Sequence, residues 1–361
     1  MSKAVSNVIG KPALCTCLLL GAAVAAMGQG RQENLNKCQS VDPDAKIMGC
    51  TALIQADQDT TKNRSIIYGN RGAAYYNKGD YDRAIHDTDQ AIRLNPNEPS
   101  FYDTRGVAYK KKSDYDRAIQ DFNEAIHLNP NFERAYYDRG GAYIDKDDYD
   151  RAIQDFNEAI RLNSNDANAY NNRGVAYHKK DDYGRAIQDY SQAIGLNSNF
   201  TTAYGNRGDA YFAQSNLTAA IADYEHTISA APSSRAAVYA VLMLHVIMKR
   251  QGHDDAQQLA RVAAAADLSK WPGPVLKLDL GQMTASEVMM AAPSPGTDRQ
   301  KKWQACEANY FTGEDALLHH QRPTALERLN AARNGCPKGD TTYGATLAEL
   351  KRLGAPAAPA K

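Results

Sequence analysis

The chain has 361 residues with 42 basic and 42 acidic side chains, so its formal net charge is zero. This balance argues against proteins whose main partner is nucleic acid or an anionic membrane, because both require a basic surplus. Hydrophobic residues make up 43% and charged residues 23% of the chain, which is typical of globular proteins and excludes bulk disorder. The 21 Tyr against 7 Phe indicate repeated positions where an aromatic ring with a polar tip is useful.

Residues 1–28 are predicted to be a secretory signal peptide. Lys3 and Lys11 precede an uncharged apolar run over 13–26, and small residues at 23–26 place the cleavage site near 26–28. The run is short for a membrane-spanning helix, so an uncleaved anchor is the weaker alternative and the mature chain is expected to have no transmembrane span. The predicted location is the bacterial periplasm or the extracellular space.

Four cysteines lie outside the signal: Cys38, Cys50, Cys306 and Cys336. An even number in an exported chain predicts two disulfides, with four buried free thiols as the alternative. The chain has none of the CxxC or HxxxH spacings of common zinc sites. No metal or other cofactor is therefore predicted.

The middle of the chain repeats every 34 residues. An Arg-Gly dipeptide recurs five times, and an Ala follows each Gly after twelve residues. The glycines are Gly72, Gly106, Gly140, Gly174 and Gly208, and the alanines are Ala84, Ala118, Ala152, Ala186 and Ala220. This pattern resembles the tetratricopeptide repeat (TPR) family, whose unit is a helix–turn–helix. The resemblance implies an all-α fold, a right-handed superhelical solenoid of antiparallel helix pairs (a TPR array) with a helical C-terminal region.

The repeat register divides the chain into segments. After the signal come an N-terminal helical cap (29–64), five repeats (65–234), a degenerate TPR-like hairpin (235–268), a helical connector and loop (269–305), a divergent TPR hairpin (306–339) and a C-terminal helix with a flexible tail (340–361). Cys306 and Cys336 fall at repeat positions 1 and 31, which lie side by side in an antiparallel hairpin. The predicted disulfides are therefore Cys38–Cys50 and Cys306–Cys336.

Position 7 of every repeat is Arg and position 23 is always Asp, as in Arg139 and Asp155 of the third repeat. These side chains can form a structural ladder within or between hairpins, or the arginines can form a row for an anionic ligand. The ladder is the favoured interpretation, because each Arg has its own carboxylate.

In this family the first helices line a concave face that binds partners. Repeat positions 2, 5, 6, 9, 12 and 13 face that groove. Residues at positions 5, 6 and 12 are its predicted binding residues: Asn70, Tyr76, Lys110, Tyr137, Ile144, Asn172, His178, Asn206 and Phe212. Asn suits a peptide backbone because its carboxamide both donates and accepts hydrogen bonds. A solvated groove without a dedicated ligand is the alternative. The family's clamp for a C-terminal carboxylate is disfavoured, because its Lys and Asn positions hold Gly69 and Ala73.

No catalytic motif is present, so the chain is predicted not to be an enzyme. The order of the segments also resembles the NlpI-like bacterial envelope proteins, which act as adaptors for peptidases. This second resemblance rests on Trp271, Leu280-Gly281, residues 307–311 with Gly313, and Tyr343. The predicted function is an exported scaffold that binds a protein or extended peptide, with an envelope peptidase as a candidate partner. The alternatives are a structural homo-oligomer, such as a homodimer, without a separate client, and a glycan-binding accessory subunit.

Overall fold

A computed structural model describes residues 29–253, 255–292, 297–337 and 341–355, and the predicted signal peptide lies outside them. These residues contain nineteen α-helices and no strand, which confirms the predicted all-α fold class. No helix in the described ranges is both long and apolar enough to span a bilayer. The chain divides into two units, Met1–Lys146 and Asp147–Lys361, and each is described by itself.

The first unit holds seven helices. They are α1 (29–38), α2 (Pro43–Ala56), α3 (Thr61–Asn77), α4 (Tyr81–Leu94), α5 (Pro99–Lys111), α6 (Tyr115–Leu128) and α7 (Glu133–Asp145).

The second unit holds twelve helices. They are α8 (Tyr149–Leu162), α9 (Ala167–Lys179), α10 (Tyr183–Leu196), α11 (Thr201–Ala213), α12 (Leu217–Ala230), α13 (Arg235–Arg250), α14 (Ala256–Ala265), α15 (Gly273–Asp279), α16 (Ala285–Ala291), α17 (Asp298–Leu318), α18 (Arg322–Gly335) and α19 (Thr341–Arg352). Helix α17 therefore begins before the boundary that the sequence placed at 305/306.

Each repeat turns between its two helices in the same way. One residue adopts a left-handed backbone conformation, as Gly79 does at φ 77°, and the next residue caps the second helix. In the first repeat the Asp80 carboxylate accepts a hydrogen bond from the backbone N–H of Arg83 at 3.0 Å. Ser113 and Ser215 occupy the left-handed position with φ 62°, so the turn tolerates the loss of glycine. The Asp cap satisfies one of the helix's orphan N–H groups.

The Arg-Gly glycine lets the two helices of a hairpin approach closely. A Cβ atom on Gly106 would lie 2.7 Å from the ring of Phe122, and one on Gly174 would lie 2.7 Å from the ring of Tyr190. Both rings are buried, so they cannot move aside. The repeated alanine of the second helix is fully buried in all five repeats.

The position 7 arginines form the predicted structural ladder. In four hairpins the guanidinium donates two hydrogen bonds to the position 23 aspartate of the same hairpin, at 2.6–2.9 Å: Arg71–Asp87, Arg105–Asp121, Arg173–Asp189 and Arg207–Asp223. The remaining nitrogen reaches back to the preceding hairpin, as Arg105 does to Asp89 and Arg173 to Asn157. Each arginine therefore fixes one hairpin and joins it to its predecessor.

Contacts with arginine side chains explain the large number of tyrosines. Each position 7 guanidinium lies 5.4–5.6 Å from the ring centroid of the Tyr three residues earlier, from Tyr68 to Tyr204. A second set of arginines lies at the start of the second helices, and their guanidinium carbons are 4.4 Å from the ring centroids of Tyr75, Tyr109 and Tyr177. Tyr suits these places because its face attracts a cation.

The second unit has a large core beyond its repeats. Helix α13 is apolar nearly all round, and its Leu242, Leu244 and Ile247 are buried together with Leu276 of α15 and Tyr310 of α17. A helix that is apolar all round must be covered on most sides. The C-terminal helices therefore cover the helix that follows the fifth repeat.

Both predicted disulfides are present. Cys38–Cys50 joins α1 to α2 with a Cα–Cα distance of 4.6 Å, and Cys306–Cys336 joins α17 to the end of α18 at 4.9 Å. Each bridge therefore ties together two helices that are neighbours in the chain.

We expect Gly106→Ala to destabilise the fold by about 1–3 kcal/mol, because the new methyl group meets the immobile Phe122 ring. Gly195→Ala is the matched control, since Gly195 is helical and a methyl group added there would have no atom within 4 Å. That change should leave stability unchanged or raise it by up to about 1 kcal/mol. Thermal unfolding measures both, and equal effects would contradict the close-approach explanation.

We expect Arg173→Lys to lower stability by about 1–2 kcal/mol, because Lys cannot reproduce the paired bonds to Asp189 and the bond to Asn157. Arg161→Lys serves as the control, since Arg161 is exposed and pairs with Glu158 one turn earlier in the same helix, and its effect should stay within about 0.5 kcal/mol. Denaturant titration measures the difference. If Arg173→Lys kept its stability and lost partner affinity, the row would be a ligand site instead.

Candidate functional site

Two predicted groove residues of the first unit, Tyr76 and Lys110, lie beside a charged cluster of Asp103, Arg134 and Asp138. Asp103 is almost fully buried, and its carboxylate lies 3.1 Å from the Arg134 guanidinium, which in turn lies 3.5 Å from Asp138. Lys110 extends over Gly141 and its charge favours ionised Asp138. Tyr76 adjoins the same cluster, and burial followed by the charge of Asp138 raises its pKa.

The charges of this cluster do not all titrate normally. Burial, reinforced by the nearby Asp138, raises the pKa of Asp103 to about 7, against the opposing charge of Arg134. Burial also raises the pKa of Asp138, against the charges of Lys110 and Arg134. The other predicted residues of this unit, Asn70, Tyr137 and Ile144, are half-buried. Sequence reasoning missed Asp103 and Arg134, although they occupy repeat positions 5 and 2, which face the groove.

The asparagines of the second unit form a chain of carboxamides. Asn206 donates to Asn171 at 3.0 Å, and Asn171 donates to Asn172 at 3.2 Å. Asn171, which the sequence prediction omitted, is buried and connects the two predicted residues. One donor of Asn206 is therefore used inside the protein, which leaves less of its carboxamide for a peptide than expected.

The position 12 residues of this unit differ from expectation. His178 was predicted to be a binding residue of the groove, but it is buried and packs edge-on against Tyr183, with 5.2 Å between the ring centroids. Phe212 lines a separate hollow of about 390 Å³ with Tyr183, Leu217 and Tyr343. Asn206 and Phe212 were expected to face the same groove, and the structure places them in two different cavities. The reason is the C-terminal helix α19, which the repeat pattern could not position.

Asn206 lines a cavity of about 320 Å³ in the second unit. One wall comes from the groove-facing positions 2, 5, 6 and 9 of the fifth repeat, and the others come from α12, α13, α17 and α19. Its lining is Thr202, Gly205, Asn206, Asp209, Tyr224, Arg235, Ala236, Tyr239, Ala240, Met243, Trp303, Glu307, Phe311 and Thr342. We call this cavity the fifth-repeat pocket. Its volume suits a small ligand or one large side chain.

The floor of the fifth-repeat pocket is buried and mainly apolar, with Met243 and Phe311 almost fully covered. Glu307 is also buried there, and it accepts hydrogen bonds from the Tyr239 hydroxyl at 2.8 Å and the Trp271 indole at 2.6 Å. These bonds hold the carboxylate against the wall. The rim is more polar and includes the exposed Thr202 and Arg235. An apolar floor with a polar rim is the usual arrangement of a protein-binding anchor site.

Sequence models of one family match the chain. The tetratricopeptide repeat models match residues 65–98, 104–132 and 167–200, and separately 201–234, while a TPR repeat model matches 140–181. The chain is a tetratricopeptide-repeat protein. Three of these matches have the same bounds as repeats predicted from the 34-residue period.

Several solved TPR structures are similar to this chain. A MamA crystal structure is 26% identical and covers 46% of this chain and 91% of its own, with a TM-score of 0.42. YrrB, described as a TPR protein with an unusual peptide-binding site, is 20% identical. The match covers 53% of this chain and 96% of YrrB, with a TM-score of 0.43. MamA from Desulfovibrio magneticus RS-1 is 20% identical. The match covers 49% of this chain and 99% of that structure, with a TM-score of 0.45. A comparison with curated proteins gave no match.

TPR arrays are a protein-interaction architecture, because stacked helix pairs create extended binding surfaces. Within the described ranges, no three His, Cys, Asp or Glu side chains are grouped as a metal site would require. The predicted lack of enzymatic activity stays a prediction.

We expect the raised pKa of Asp103 to make stability depend on pH. The folded-state pKa of about 7 lies above the unfolded value, so the native state holds the proton longer and the free energy of unfolding falls as pH rises from about 4 to 7. Asp103→Asn should remove this loss and raise stability at pH 8, by on the order of 1–4 kcal/mol. Thermal unfolding at pH 5 and pH 8 measures it.

Asp82→Asn is the control, because Asp82 is an exposed carboxylate that pairs with Lys112 at the surface. Its effect should be small and nearly equal at the two pH values. A wild-type profile that rises between pH 5 and pH 8, with no gain from Asp103→Asn, would contradict the assignment.

Proposed function

We propose that this TPR protein is a non-enzymatic exported scaffold, and that its array binds an extended segment of a protein partner. The observation that carries the proposal is the fifth-repeat pocket, in which groove-facing positions of the last full repeat form a cavity with the C-terminal helices. The predicted residue Asn206 lies on its wall. A peptide along the groove of this unit would therefore have a place to bury one side chain.

The pocket's dimensions and chemistry support a side-chain anchor. Its floor is apolar, its walls include the aromatic rings of Tyr239 and Trp303, and its volume is about 320 Å³. Large apolar side chains buried in such pockets supply most of the affinity of many protein interfaces. The carboxamides of Asn172 and Asn206 add polar groups of the kind that bind a peptide backbone.

Export is supported by two features. The N-terminal residues have the composition of a signal peptide, and the two disulfides form and persist most readily in an oxidising compartment. The resemblance to NlpI-like adaptors suggests an envelope peptidase as the partner. In that role the protein holds the enzyme near its substrate and performs no chemistry itself.

Gly205→Met tests the proposal by filling the pocket. A Cβ atom added to Gly205 would have its closest neighbours, two side-chain atoms of Thr227, at 3.8 and 3.9 Å. A side chain can therefore be added there without a clash at Cβ, and we expect it to extend into the cavity. We expect partner affinity to fall roughly tenfold or more, because the anchor can no longer enter. Proteins retained from an envelope extract are identified by mass spectrometry, and the Kd of each purified candidate is then measured.

Gly195→Met is the matched control. Gly195 is also helical, a Cβ atom added to it would have no atom within 4 Å, and it is exposed on α10. Both substitutions remove a helical glycine and should raise helix stability similarly. A partner that binds the wild type and Gly195→Met but not Gly205→Met supports the pocket. Equal binding by all three proteins would place the partner elsewhere or refute the proposal.

A further inference from the structure

Arg235 stands at the rim of the fifth-repeat pocket and is held there by aromatic rings. Its guanidinium carbon lies 5.5 Å from the ring centroid of Tyr239 and 5.3 Å from that of Trp303. One nitrogen donates to the Tyr239 hydroxyl at 3.3 Å. The residue is exposed. Stacking on two rings restricts the side chain without using most of its five N–H donors.

No carboxylate pairs directly with Arg235 in the described residues, and its guanidinium is linked to the buried Glu307 through the Tyr239 hydroxyl. The array arginines Arg71, Arg105, Arg173 and Arg207 each bond a buried aspartate. Over the residues that the structure describes, no carboxylate lies within 4.0 Å of the Arg235 guanidinium. An oriented arginine without a directly bonded carboxylate can bind one from a partner, because the planar fork fits a carboxylate through two parallel hydrogen bonds.

We infer that Arg235 binds an acidic side chain of the partner, and that this acidic residue lies next to the apolar residue that fills the pocket. The inference rests on the proposed function. It narrows the partner to a segment in which Asp or Glu accompanies a large aliphatic or aromatic residue. The apolar residue packs against Met243 and Phe311, while the carboxylate stays at the rim and accepts hydrogen bonds from Arg235.

The carboxylates of the pocket have their own hydrogen-bond donors. Glu307 is only 2% exposed and accepts from Tyr239 and Trp271. Asp209, on α11, accepts from the Tyr224 hydroxyl at 2.8 Å. Both carboxylates accept hydrogen bonds from residues of the protein, whereas Arg235 is exposed at the rim of the pocket. A basic partner attracted by Asp209 is the competing outcome, and the experiment below distinguishes it.

The experiment uses a display library of random ten-residue peptides as the probe, selected separately on the wild type, Arg235→Gln and Gly205→Met. Wild-type selection should enrich Asp or Glu within a few positions of a large apolar residue. Selection on Arg235→Gln should keep the apolar residue and lose the acidic one. Selection on Gly205→Met should lose both.

Enriched peptides are then synthesised with blocked ends, each as a Glu and a Gln version, so that no terminal carboxylate contributes. The wild type should bind the Glu version about 3- to 10-fold more tightly, and the preference should weaken with salt. Arg235→Gln should bind both versions equally, at close to the wild-type affinity for the Gln version. Arg235→Lys should retain part of the preference, because the positive charge remains.

The outcomes separate the two proposals. If peptides bind the wild type and not Gly205→Met, yet the Glu and Gln versions bind equally or a Lys version binds best, the inference is overturned and the proposed function stands. If the acidic preference persists in Arg235→Gln, another residue supplies it and the inference is again overturned. If no peptide is enriched on the wild type, or Gly205→Met binds as well as the wild type, the proposed function fails and the inference fails with it.

Discussion

The described array depends on one arginine per repeat. In four hairpins, two in each unit, the position 7 guanidinium binds the position 23 aspartate through two bonds, which fixes the two helices of the hairpin at one separation. Its remaining nitrogen bonds a polar residue of the preceding hairpin, as Arg173 does with Asn157. Because the aspartates are buried, removing an arginine would leave a carboxylate without a counter-charge and would greatly lower the free energy of unfolding. The same side chain therefore sets both the geometry of a hairpin and its distance from the preceding one.

This constraint explains why the fold could be predicted well from the sequence. The glycine of close approach, the buried alanine, the helix cap and the arginine with its aspartate act within one hairpin or between neighbours. They therefore recur at fixed spacing in a single sequence. The hairpin register likewise placed Cys306 beside Cys336. The start of α17 at Asp298 was missed, because no repeat pattern extends over the residues before 306.

The candidate site was much less predictable, because its parts come from distant segments. The repeat register predicted Asn206 on the groove-facing side of α11, and this residue lines the fifth-repeat pocket. The register contained no information on Trp303, Glu307 or Phe311, which reach the same cavity from α17. It also could not show that His178 would be buried against Tyr183. Local patterns define the surface of each hairpin, whereas the pocket depends on which later helix covers that surface.

Covering the end of a repeat array is a stability requirement, since the last hairpin has no following neighbour to bury its exposed face. Here α13 and the C-terminal helices meet that requirement with an apolar core and a buried ion group, in which Arg250 bonds Glu314 and Glu349 at 2.7 and 2.9 Å. The same cover leaves the fifth-repeat pocket between α11, α13 and α17. Because its walls belong to a packed core, the pocket is largely formed before a partner arrives. A preformed pocket reduces the entropy lost on binding, so the helices that cap the array can also give it a specific binding site.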